Sequence, residues 1–75
     1  MNQVDFLKNF SEQFEETDPA SITLKTNFKE LDEWNSMLAL VLIAMIDEQY
    51  NLKLTGEDIR GSVTVSDLYQ KVASK

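Results

Sequence analysis

From Met37 to Ile46 the chain reads MLALVLIAMI, with no polar side chain in the run. A membrane-spanning helix needs about 20 apolar residues, so this run is too short to cross a bilayer and must belong to a protein interior or an interface. With 75 residues and 43% hydrophobic content there is room for one core, near the lower size limit for folding without cross-links. Residues 1–75 are therefore expected to form a single domain around that helix.

The chain contains neither cysteine nor histidine. Disulfides, cysteine-based zinc sites and imidazole catalysis are excluded, and any thiol chemistry has to be imported. A net charge of -6 and a pI near 4.4 argue against nucleic acid, which needs a surplus of lysine and arginine, and favour basic protein partners. The opening MNQVDFLKNF lacks the basic start and apolar block of a signal peptide, so a cytoplasmic location is expected and the Asn9-Phe10-Ser11 sequon is a chance match. Glu12, Glu15, Glu16 and Asp18 read as a solvated acidic face, with no metal assigned.

Val4, Leu7, Phe10 and Phe14 recur at helical spacing and predict an amphipathic first helix from about Gln3 to Glu16, capped by Asn2 and stopped by Thr17-Asp18-Pro19. Residues 18–35 carry Ile22, Leu24, Phe28, Leu31 and Trp34, too many large apolar groups for a free linker. An ordered loop packed over the helices is expected; Ile22 and Leu24 alternate like a strand but have no partner strand. A second helix runs from Met37 to Tyr50. Thr55-Gly56-Glu57-Asp58 resembles a capping box opening a short third helix that ends at Gly61, and a fourth begins at Ser66 with Leu68, Tyr69 and Val72 inward. The fold class is all-α, with four unequal helices.

At about 100° per residue, Ala39, Leu42, Ile43, Ile46 and Tyr50 share one side of the second helix and are assigned to the core. Met37, Val41, Ala44 and Glu48, flanked by Leu38 and Met45, form a second and mostly apolar face. Either the long loop covers that face, or it stays open for a partner. Asn35 and Ser36 stand where N-cap residues belong, and that role alone accounts for both. Ser36 as a nucleophile would want a base, which nothing here supplies, so no catalytic residue is assigned. Asp47 and Glu48 close the helix where negative charge opposes its dipole, and either a partner or solubility explains them.

Several segments together resemble the acyl carrier proteins and their peptidyl and aminoacyl carrier relatives. Thr26-Asn27-Phe28-Lys29-Glu30-Leu31 is similar to the approach to that family's modification site, and Asn35-Ser36-Met37 stands where the family has aspartate-serine-leucine. Asp47-Glu48-Gln49-Tyr50 resembles the end of its second helix. Leu54-Thr55-Gly56-Glu57-Asp58-Ile59 and Thr64-Val65-Ser66-Asp67-Leu68 resemble the openings of its third and fourth.

The resemblance implies a four-helix bundle of acyl-carrier type, with a long loop between helices 1 and 2 and a short third helix. It implies covalent 4'-phosphopantetheine on Ser36, delivered from coenzyme A by a magnesium-dependent phosphopantetheinyl transferase. The arm would hold acyl or aminoacyl groups as thioesters for loading and transferring enzymes, and the monomeric carrier itself would catalyse nothing. The partner-facing residues would be Asn35, Met37, Leu38, Val41, Ala44, Asp47 and Glu48. Two departures mark this chain: Asn35 replaces the aspartate, and Leu38 and Val41 replace acidic residues usual in fatty-acid carriers. With Trp34 they point toward a dedicated partner in a specialised pathway such as secondary-metabolite or polysaccharide assembly. The alternative is a carrier-shaped module, never modified, that binds a partner or itself through the apolar face.

Overall fold

The structure, a computed structural model, describes residues 2–75 and consists of four helices, α1 (Gln3–Ser11), α2 (Ser36–Tyr50), α3 (Gly56–Arg60) and α4 (Val65–Ala73). Each start is fixed by a short side chain that takes up otherwise orphaned amides. The Asn2 side-chain oxygen accepts from the Val4 and Asp5 amides, at 2.8 and 3.1 Å. Thr55 with Asp58 and Thr64 with Asp67 form reciprocal capping boxes on α3 and α4. At its far end α2 stops at Asn51, whose φ of 55° lies in the left-handed region that asparagine tolerates better than most residues.

The first helix is shorter than its apolar spacing predicts: it ends at Ser11 rather than Glu16. The Ser11 hydroxyl turns back onto the Lys8 carbonyl, and the amides of Glu15, Glu16 and Thr17 are taken by the carboxylate of Glu33 instead of by helix carbonyls. Phe14 nevertheless stays buried, because two turn bonds carry the chain onward from Phe10 and Ser11. Phe6 and Phe10 are the inward residues of α1, and Val4, expected inside, is 75% exposed at the first turn.

The connection between α1 and α2 is ordered, with 3-10 turns at Pro19–Ser21 and Phe28–Glu30 and with Ile22 and Phe28 buried. Among the described residues there is no strand. The loop is pinned to the start of α4 by an isolated bridge between Asn27 and Thr64 and by the Val65 and Ser66 amides, which donate to the Thr26 and Leu24 carbonyls. Helix α4 in turn packs on α1 and α3.

Aromatic rings form a continuous path through this core. Tyr69 meets Phe6 at 5.3 Å between centroids, Phe6 meets Phe10 at 6.1 Å, Phe10 meets Phe28 at 5.5 Å, and Phe28 meets Trp34 at 5.1 Å. The path ends two residues before Ser36, so the approach to α2 is held by packed rings in edge and tilted contacts.

The core side of α2 differs from its expected position. Leu42 and Ile46 are buried as expected, but Leu38 at 7% exposure and Met45 are buried with them, while Ala39, Ile43 and Tyr50 are only partly covered. The buried stripe 38, 42, 45, 46 is rotated by roughly two thirds of one residue's turn from the expected one. Both flanks of the run are apolar, so periodicity alone could not choose its phase. Leu38 is thereby corrected from a surface residue to a core residue.

Candidate functional site

The head of α2 brings together Trp34, Asn35 and Ser36. Asn35, in extended conformation, is the N-cap: its side-chain oxygen accepts from the Leu38 amide at 2.8 Å, and its backbone carbonyl accepts from Ala39 at 3.2 Å. Ser36 is the first helical residue and is exposed. With capping done by Asn35, the Ser36 hydroxyl makes no hydrogen bond to another described residue. The Ser36 and Met37 amides likewise find no acceptor among the described residues. A free hydroxyl beside two free amides at the positive end of a 15-residue helix suits an esterified anion.

The approach to this serine is preorganised by Glu33. Its carboxylate accepts from the amides of Glu15 (2.7 Å), Glu16 (3.0 Å) and Thr17 (3.0 Å) and from the Thr17 hydroxyl (2.9 Å). Partial desolvation opposes its ionisation, but the Thr17 hydroxyl and the three amides outweigh it and hold the carboxyl below its ordinary value. Glu33 thus staples the exit of α1 to the entrance of α2. This role is not visible in the sequence, since the partners of Glu33 lie 16 to 18 residues earlier.

The remaining residues assigned to the site from sequence divide into three groups. Met37, Val41, Ala44 and Glu48 are exposed on one side of α2, joined by Leu40, which sequence reading did not single out. Leu38 faces the core. Asp47 forms an ion pair with Lys53 at 2.8 Å across the turn after α2, so its charge is partly matched within the chain.

Two grooves flank the helix head. Toward α3 lies an apolar one of about 380 Å3, walled by Ser36, Ala39, Leu40 and Ile43 on α2 and by Ile59 and Arg60 on α3. That volume falls within the range of small-molecule pockets, about 300–1,000 Å3. Toward α1 lies one of about 320 Å3, with Glu12 and Glu15 on one wall and Met37 and Val41 on the other. Among the described residues no cluster of acidic side chains has metal-binding geometry, and no helix is long and apolar enough to cross a membrane.

The family model of the phosphopantetheine attachment site matches residues 5–72, nearly the whole chain. No curated protein and no solved structure gives a match. Members of that family are non-catalytic carriers to which 4'-phosphopantetheine is attached covalently, and which interact with modifying and acyl-handling enzymes. The four helices, the long ordered loop and the match along the chain agree: this protein belongs to the acyl and peptidyl carrier protein family.

Proposed function

We propose that residues 1–75 act as a single carrier domain whose phosphopantetheine arm is attached through Ser36. The observation that carries this reading is the division of labour at the helix head: Asn35 caps α2, which leaves the Ser36 hydroxyl exposed and uncommitted. A serine serving only as a cap would have its oxygen on the helix amides.

For attachment, a transferase would bring coenzyme A to this hydroxyl. The Ser36 oxygen forms a bond to the phosphorus nearest the pantetheine while the diphosphate bridge breaks, adenosine 3',5'-bisphosphate leaves, and the serine proton passes to a base of the transferase or to solvent. The resulting phosphodiester would be held by the Ser36 and Met37 amides and by the dipole of α2. When bound, the arm supplies the thiol that this cysteine-free chain lacks, which holds an acyl or aminoacyl group as a thioester. Tethering then presents that group to partner enzymes at high effective concentration.

Partner enzymes would dock on Met37, Leu40, Val41, Ala44 and Glu48, with Asn35 at the edge. This strip is apolar in an otherwise acidic protein, which favours a dedicated partner in a specialised biosynthetic pathway. Incubation of the apo-protein with coenzyme A, magnesium and a broad-specificity phosphopantetheinyl transferase should add the mass of the arm, and Ser36→Ala should abolish the addition. No mass increase, or one that persists in Ser36→Ala, refutes the assignment. An obligate dimer that Val41→Glu dissolves would instead identify a self-association module.

A further inference from the structure

The groove between α2 and α3 is apolar along most of its wall, yet it carries the chain's one arginine. Thirteen acidic residues are available in this protein, but the ion pairs among the described residues are Lys53 with Asp47 and Lys75 with Asp58, and Arg60 is in neither. The guanidinium folds back along α3, so that its Nη1 lies 3.3 Å from where a β-carbon on Gly56 would stand. Lys29 comes from the loop to the same edge, where its ammonium donates to the Arg60 carbonyl at 3.0 Å and lies 5.9 Å from the centre of the Phe28 ring. The lysine is committed to the protein. The arginine fork is not.

We propose that Arg60 binds a carboxylate at the far end of the group carried from Ser36, so that the groove favours an acyl chain of the dicarboxylic type over a plain fatty one. This rests on the Ser36 attachment proposed above. An uncharged acyl chain would be served by Ala39, Leu40, Ile43 and Ile59 alone and gains nothing from a cation. The phosphodiester of the arm already has the Ser36 and Met37 amides and does not call for Arg60. A carboxylate uses both features, burying its methylenes on the apolar wall and presenting two oxygens to a planar donor pair. The groove has the dimensions of a small-molecule site, which fits a tethered chain better than an acidic segment of another protein.

The test loads Ser36 from adipoyl-coenzyme A or hexanoyl-coenzyme A, which have the same chain length and differ in the terminal carboxylate, with each product verified by intact mass. Cleavage of the thioester by hydroxylamine and the chemical shift of the Arg60 Nε–H group are then measured. Hydroxylamine should cleave the adipoyl thioester about 3- to 5-fold more slowly than the hexanoyl one, the range of a solvent-accessible charged contact. The difference should vanish in Arg60→Gln and survive in part in Arg60→Lys, and the Arg60 signal should move only on adipoyl loading. Equal rates in the unaltered protein, or a difference that persists in Arg60→Gln, overturn the proposal. So does an Arg60 shift produced by the unacylated arm and unchanged by the carboxylate, which would assign the residue to the phosphodiester. If no mass is added at Ser36, the attachment reading fails, and this inference with it; loading without a carboxylate effect sinks this inference alone.

Discussion

On one side of α2, Leu38, Leu42, Met45 and Ile46 are closed into the core; on the other, Met37 and Leu40 keep 66% and 60% of their surface and Val41 keeps 36%. The side chains are chemically alike, so hydrophobicity did not choose between the two sides. The neighbours did: phenylalanines from α1 and the loop, and Val65, Leu68 and Val72 of α4, join one side of α2 in a single cluster. The loop, pinned to α4 at Thr26 and Leu24 and to the α1 exit through Glu33, covers that side and leaves the other open. A chain that folds alone gains nothing from the open strip, which is the surface the docking proposed above would use.

Truncation should separate the two sides first. Leu42→Ala, at a fully buried position, should cost about 2–5 kcal/mol, and Leu38→Ala a value toward the lower end of that range, measured by urea denaturation. Leu40→Ala should stay within about 0.5 kcal/mol, as exposed positions do. If Leu38 and Leu40 gave equal losses, the assignment of the two sides would be wrong.

A smaller effect is expected where the loop is fastened. Glu33→Gln removes the charge from an acceptor of four hydrogen bonds and should lower the melting temperature, with the Ser36 hydroxyl still available for loading. Acid should act in the same direction. At Asp58 the pairing with Lys75, and at Asp67 the amides of Thr64 and Val63, hold the carboxyls below their ordinary values, as the hydrogen bonds at Glu33 do there. The unfolded chain then binds more protons than the folded one. The stability these groups contribute is present in full above the ordinary carboxylate range, about 3.9–4.3, and is lost as pH falls through the folded values. Melting temperature should therefore be level from about pH 7 to 5 and fall below about pH 4, with a shallower fall in Glu33→Gln. The smallest change in stability belongs to Val41→Glu, which should leave folding and loading almost unaltered while weakening transfer to a partner enzyme that docks on the open strip.

Much of this architecture was legible from local chemistry. Asn2 and the Thr55 and Asp58 pair announce helix starts because a cap bonds to amides only two or three residues away, whereas the like pair Thr64 and Asp67 sets the start of α4 at Val65, one residue before the expected Ser66. The apolar content of residues 22–34 likewise predicted a loop that packs. What escaped were contacts that cross the sequence: Glu33 reaching the α1 exit, the early end of α1 that goes with it, and the inward turn of Leu38. Arg60 drew no attention in sequence because its surroundings come from the loop and from a helix earlier in the chain.

By itself, then, the sequence determined four helices, the capped starts of α1 and α3, the lack of an internal thiol and a serine at the head of the apolar helix, because each of these follows from composition or from interactions spanning a few residues. Only the tertiary structure decided which side of α2 is buried and that an unpaired guanidinium shares a groove with the serine. Those outcomes depend on which distant segments meet, and an apolar run with two equivalent flanks carries no information about its neighbours.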